Sequence, residues 1–230
     1  METLKSDCSV VNKRGLRYIR RNGKLIEYNP WLGNHFGFMY DFMMKNNVFP
    51  KTFGGSIESH NDFLNDLLEE IKQTRVLELG TGTGSAVTFL NNSNQYTGVD
   101  ISPELLRKAG KRLAIAGFEN PELYVTSADD LPFKDRQFEL CLCVLALNFF
   151  PTAEGVIKEV SRVLAPGGRF ICCVPVPERN RENRTINGTL YPEKELRRLL
   201  EKYDMQMFVF PIENGPLLYF QGIVKEKIVA

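Results

Sequence analysis

The sequence predicts an α/β protein with a seven-stranded, mainly parallel sheet, an antiparallel last strand, helices on both faces and an N-terminal lid extension. Three observations predict it. From about residue 75 onward, short apolar runs alternate with helical patterns, the signature of repeated βα units. The first of these runs leads straight into a turn that holds three glycines. The last two runs are joined by a connection with no room for a crossover helix, so that pair has to be antiparallel.

The elements follow in order. Ile57 to Ile71 places Phe63, Leu64, Leu67, Leu68 and Ile71 on one helical face, and Arg75 to Leu79 is the first core strand. Thr83 to Leu90 reads as the helix after it. Tyr96 to Asp100 is the second strand. Ser102-Pro103-Glu104 then opens a helix with a capping hydroxyl, a proline in the first turn and an acid on the favourable end of the dipole, and Gly117 stops it. Glu122 to Thr126, Phe138 to Leu145 and Arg169 to Val174 are the next three strands. Val156, Val160, Val163 and Leu164 form a helical stripe between the last two, ended by Pro166-Gly167-Gly168. Met205 to Phe210 and Leu217 to Lys225 close the sheet across Pro211 to Pro216. Residues 1–56 read as an extension and lid, and 57–230 as the main domain. Within the extension, Asn22-Gly23 is a hairpin signal in a basic stretch of Lys13, Arg14, Arg17, Arg20, Arg21 and Lys24.

The chemistry centres on Val76-Leu-Glu-Leu-Gly-Thr-Gly-Thr-Gly84. Glycine permits positive φ and carries no Cβ, so Gly80, Gly82 and Gly84 let the backbone approach a ligand, with Thr81 between them. The spacing is G-x-G-x-G, whereas a dinucleotide-binding turn has G-x-G-x-x-G over a pyrophosphate. Glu78 also argues against phosphates, which it would repel, and suits an ammonium group. Asp100 ends the second strand 20 residues after Gly80, the interval at which an acid accepts ribose hydroxyls in nucleoside-binding α/β folds. The expected ligand therefore has a ribose and lacks phosphates.

With VLELGTGTG, GVDIS, SADDLPF, FELCLCVLAL and EVSRVLAPGGRFI in this order, the chain resembles class I S-adenosylmethionine-dependent methyltransferases over roughly residues 37 to 225. The likeness is to the Rossmann-like type-11 group that includes the ubiquinone and menaquinone methylases. It implies S-adenosylmethionine as cofactor, with the glycine turn at its methionine part, Asp100 at the ribose and Ser127-Ala128-Asp129 along the adenine. Ile101 and Leu145 complete the implied cofactor set, and Tyr40 of the Tyr40-Asp41 pair is implied to cover it. One departure stands out: the group usually has Gly-Asp-Ala where this chain has Thr126-Ser127-Ala128, so Ser127 or Asp129 has to serve the adenine amino group.

The resemblance implies methyl transfer to a small-molecule acceptor by in-line displacement (EC 2.1.1.-), a reaction that needs alignment more than any one side chain. A general base is required only for a nucleophile that starts protonated. His35, among Trp31, Phe36 and Phe38, is a candidate base, and Asn148 faces the expected transfer region; His60 reads as part of an exposed helix start. The aromatic run from Tyr28 to Phe53 is a lid or an apolar acceptor pocket. Arg179, Arg181 and Arg184 suit either a solvated loop or an anion clamp. The alternatives are a methyltransferase of RNA or protein, and an inactive cofactor-binding partner subunit. With 29 Lys and Arg against 28 Asp and Glu there is no general field for a polyanion, so nucleic acid is disfavoured. No signal-like or membrane-spanning apolar run is present, which predicts a cytoplasmic protein, monomer or homodimer. Of the five cysteines, Cys141, Cys143, Cys172 and Cys173 lie in predicted strands and read as reduced core residues, with no metal site expected. Cys172 and Cys173 point to opposite faces and cannot share one ligand.

Overall fold

The computed structural model describes residues 4–28 and 44–226. All of the predicted strands form, and three more precede them. In chain order they are β1 (Cys8–Lys13), β2 (Leu16–Arg21), β3 (Lys24–Leu25), β4 (Arg75–Leu79), β5 (Gln95–Asp100), β6 (Glu122–Val125), β7 (Phe138–Val144), β8 (Leu164–Pro175), β9 (Met205–Val209) and β10 (Leu217–Val224). The helices are α1 (Ile57–Leu68), α2 (Pro103–Ile115), α3 (Ala153–Val163) and α4 (Glu193–Lys202). A wider helical segment, Met44–Phe53, precedes α1.

The sheet runs β1-β2-β6-β5-β4-β7-β8-β10-β9, with β3 also paired to β2. From β6 to β8 every pairing is parallel, and β10 is antiparallel to both β8 and β9. The seven-stranded expectation is thus enlarged to ten by β1, β2 and β3, which form hairpins whose turns take positive φ at Arg14, Gly15, Asn22 and Gly23.

Alternation along the strands divides the core. Leu77, Leu79, Cys141, Cys143, Phe170 and Cys172 face α3 and α4. Val76, Leu140, Leu142 and Ile171 face α1 and α2. Cys173 packs apart from Cys172, with Phe49, Phe53, Leu217 and Tyr219. All five cysteines are free, and the four in strands are buried.

α2 begins and ends as predicted: the Ser102 hydroxyl accepts from the Leu105 amide, and Gly117 at φ 79 ends it. Three elements differ. Thr83 to Leu90 is not an α-helix but one tight turn, Ser85–Phe89, because Gly84 enters it at φ 76, no side chain caps it, and Leu90 has already returned to extended backbone. Its Val, Thr and Phe have weak helix propensity, and an Asn-rich turn follows at once. Pro166 to Gly168 does end the helical stripe but lies inside β8, which starts at Leu164. Helix α4 was not foreseen, although Leu196, Leu199 and Leu200 supply its buried face at helical spacing.

Candidate cofactor and acceptor site

The parallel strands end together at one edge of the sheet, where ligands of open α/β folds bind. There β4 passes into the glycine turn. The Thr81 amide donates to the Val99 carbonyl at 3.0 Å, and the Thr81 hydroxyl donates to the Glu78 carbonyl at 3.1 Å, so the turn is laced to β5. Gly80 takes φ 62, and a Cβ there would stand 2.6 Å from the Ala146 Cβ. Gly82, at φ 55, would meet only the Gly80 carbonyl, at 3.8 Å, so its outer side is open for a ligand. Gly84 packs against Ala109 of α2.

Asp100 joins the turn to the next loop. Its carboxylate accepts from the Gly82 amide at 2.9 Å and from the Ser102 amide at 2.8 Å. Burial pushes its pKa up, and the backbone amides of Ser102, Gly82 and Ile101 oppose that by stabilising the charged form. A carboxylate has about four lone-pair sites, so with these amides in place it keeps acceptor capacity for a further donor. Ile101, 40% exposed, places an apolar side chain beside it.

Glu78 is 3% exposed and faces the α1 and α2 side of the sheet, where its carboxyl accepts from the Tyr96 hydroxyl. Burial, with Asp100 adding to it, raises its pKa to about 7. It is thus a buried acid held by a phenol, a partner that the sequence pattern did not reveal. At the end of β6, the Ser127 hydroxyl donates to the Asp129 carboxylate, so the two candidates for the adenine amino group form one unit. Ala128 is buried in the core, leaving only its backbone for a ligand. The Ser127 amide donates to the Tyr28 hydroxyl at 3.1 Å, a contact from the N-terminal extension that was also not foreseen.

At the end of β7, Leu145 takes φ 55, strained for a bulky residue, and its amide donates to the Cys173 carbonyl at 2.8 Å. Asn148 is 4% exposed; its amide nitrogen donates to the Asn187 carbonyl at 2.7 Å, and its Oδ1 has no partner. His35 and Tyr40 lie outside the described residues, as do Trp31, Phe36, Phe38, Asp41 and Phe42. His60 is not exposed: it is 5% accessible, its Nδ1 lies 3.0 Å from the Tyr219 hydroxyl, and burial lowers its pKa to about 4. Of the arginines after β8, Arg179 donates to the carbonyls of Ile212 and Leu217, and Arg184 to that of Lys51. Arg181 is exposed. Arg17 and Arg21 of the basic stretch pair with Glu122 and with Asp7 and Asp130.

A cavity of 730 Å³, lined in part by Arg75, Asn94, Gln95, Glu122 and Gln137, opens at the opposite, amino-terminal edge and includes no residue of the glycine turn. Among the described residues no cluster of three or more His, Cys, Asp or Glu suits a metal ion, and no helix is long and apolar enough to cross a membrane.

A glycine turn without phosphate spacing, tied to the Asp100 carboxylate at the end of the next strand, stands at the edge of a Rossmann-like α/β sheet. Residues 77–172, about two fifths of the chain, match the family model described as a methyltransferase domain, and over this stretch the chain is similar to class I S-adenosylmethionine-dependent methyltransferases of the type-11 group. S-adenosylmethionine is the cofactor of that class. The chain is 37% identical over 99 residues to a demethylmenaquinone methyltransferase of Tropheryma whipplei, a stretch that is 43% of this chain and 40% of that protein. It is 39% identical over 106 residues to a ubiquinone/menaquinone biosynthesis C-methyltransferase of Desulfotalea psychrophila, 45% of this chain and 42% of that one. The chain thus spans about two fifths of the length of these curated relatives. The fold matches the crystal structure of the YcgJ protein of Bacillus subtilis with a TM-score of 0.60 at 19% identity, over 74% of this chain and 99% of that one.

Proposed function

We propose that the protein transfers a methyl group from S-adenosylmethionine to a small-molecule acceptor by in-line displacement. The observation that carries this reading is the Asp100 carboxylate, which ties Gly82 to the β5 loop while keeping acceptor sites for a ribose. The residues present fit the cofactor. The open side of Gly82 and the Thr81 backbone take the methionine part, Asp100 the ribose, and Ile101 with Ser127 to Asp129 the base. Glu78, buried and acidic behind the turn, suits the cofactor's ammonium group.

When bound, the cofactor supplies a methyl group already activated on a sulfonium. What remains for the chain is to orient a nucleophile and exclude water. The strained Leu145 and the Asn148 loop border the region where the acceptor enters, and Asn148 is the proposed orienting residue. The apolar group of Phe49, Phe53, Val144, Leu145 and Ile186 beside it favours a small or greasy acceptor. His35 stays a candidate base for an acceptor that starts protonated. Relatives named for quinone methylation support the small-molecule reading. Arg17 and Arg21, already paired within the chain, offer less to a polyanion.

Isothermal titration with S-adenosylmethionine and S-adenosylhomocysteine, with NAD as control, tests the reading. Both sulfur nucleosides are expected to bind, and Asp100→Asn should weaken them by about 10-fold or more, since each ribose hydroxyl loses a charged acceptor. Binding of NAD alone would overturn the proposal.

A further inference from the structure

The contact between the N-terminal extension and the base end of the site has chemistry of its own. Tyr28 follows the short strand β3, its ring packs against the core on the α1 and α2 face, and its hydroxyl oxygen accepts from the Ser127 amide at 3.1 Å. A phenol that accepts one hydrogen bond still has its own proton to donate. Among the described residues none takes it. The other side of Ser127 is also committed, because its hydroxyl donates to the Asp129 carboxylate. One residue therefore holds a donor by its backbone and an acceptor by its side chain. The two stand together at the carboxyl end of β6, next to the strand end that carries Asp100.

The Watson–Crick edge of adenine presents the complement of that pair: N1 accepts, and the adjacent 6-amino group donates. We infer that Tyr28 is a specificity-determining residue of the cofactor site, donating its hydroxyl proton to adenine N1 while Asp129 accepts from the 6-amino group. The inference rests on the S-adenosylmethionine reading above. It also accounts for the serine at position 127: the residue needs a free amide to aim the phenol and a short hydroxyl to aim the carboxylate, so recognition moves outward to Tyr28 and Asp129. A site built to hydrogen-bond a ligand rejects an analogue that lacks the matching group, because its own polar atoms are then left unpaired.

The test is titration of wild type and Tyr28→Phe with S-adenosylhomocysteine and with S-inosylhomocysteine, in which N1 carries a proton and the 6-position an oxygen. Thermal melting of both unliganded proteins checks that the ring still packs. Wild type should prefer the adenine form by about 10-fold or more. Tyr28→Phe should lose roughly 3- to 10-fold for the adenine form and little for the hypoxanthine form, so the preference shrinks. An unchanged preference overturns the inference, either because affinity for both ligands stays the same or because it falls equally, as a mere latch would cause. Wild-type protein that binds neither ligand overturns it together with the cofactor reading; wild-type binding with Tyr28→Phe unaltered overturns Tyr28 alone.

Discussion

His60 shows how one side chain couples the fold to pH. It is buried against Phe49 and Tyr219, and the Tyr219 hydroxyl is itself held by Asn214 at 3.1 Å. Burial lowers the His60 pKa from an ordinary 6.5 to about 4. A depressed folded value means that the neutral ring's contribution is fully present above the unfolded pKa and is lost as pH falls from 6.5 through 4, a change on the order of 3 kcal/mol. Glu78 acts in the opposite sense: its pKa is raised from 4.5 to about 7, so its contribution is present below 4.5 and fades as pH rises through 7. Because the two shifts are of similar size and opposite sense, they should largely cancel in wild type between pH 7 and 4, and His60→Gln, which keeps a polar partner for Tyr219 without titrating, should leave the Glu78 contribution unopposed, so that the variant's melting temperature rises relative to wild type as pH falls from 8 to 4. A difference between the two melting curves that stays constant with pH would mean that His60 contributes no pH dependence. The burial of His60 was readable in principle, since His60, Leu64 and Leu68 repeat every four residues. The polar run around it suggested a helix start, but the cap is Ser56, which puts position 60 on the inner face. The glycine turn and Asp100 were legible because backbone geometry dictates their residue types. Tyr28 and Tyr96 were not, because a tyrosine in an apolar pattern carries no mark of what its hydroxyl meets.

At the scale of elements, the connection between β9 and β10 does more than reverse the chain. Asn214 is 4% exposed; its Oδ1 accepts from the Ser56 amide at 2.7 Å, and its Nδ2 donates to the Ser56 carbonyl at 2.8 Å. This two-point clasp imitates a strand pairing and pins the start of α1 to the far end of the sheet, next to the aromatic cluster of Phe49, Phe53 and Tyr219. Asn214→Ala would leave both Ser56 backbone groups and the Tyr219 hydroxyl short of a partner. The expected cost is about 2 to 4 kcal/mol, seen as a melting point lower by several degrees, while Asn214→Asp, which keeps only the acceptor, should fall between. A melting point unmoved by Asn214→Ala would mean that water replaces the clasp. Strands and their order were legible here because buried parallel strands are short apolar runs bounded by turns. The clasp was not legible, since it joins positions 158 residues apart through a residue type that is equally common in open loops. The missing helix at 83–90 failed for a local reason: the glycine that frees the turn also denies the next segment a cap.

Across the whole molecule, the N-terminal hairpins change what kind of sheet this is. Without them β6 would be an edge strand, with its N–H and C=O groups open to another chain. Instead β2 pairs with it in parallel, Arg17 opposite Tyr124 and Tyr18 opposite Val125, and β1 covers β2 along its full length. Leu16 and Ile19 bury on opposite faces of the sheet, so the addition is part of both cores. Ion pairs tie it further, from Arg17 to Glu122, Arg21 to Asp130 and Lys5 to Glu159. The sequence announced one hairpin through Asn22-Gly23 but gave no sign that its partner strand would join the main sheet, because a parallel pairing of two residue positions leaves no pattern. Since Tyr28 reaches the Ser127 amide from the end of this addition, edge protection and the proposed base end of the site depend on the same strands. A protein starting at Asn29 should therefore fail in two linked ways. It should lose the core contribution of Leu16 and Ile19, each about 2 to 5 kcal/mol by analogy with large-to-small core changes, and it should self-associate through β6, measurable by light scattering during size-exclusion chromatography. A monodisperse truncated protein with wild-type melting and wild-type S-adenosylhomocysteine affinity would show that the added strands neither guard the edge nor serve the site. Self-association relieved by supplying residues 1–28 as a separate peptide would show that both depend on strand pairing at β6.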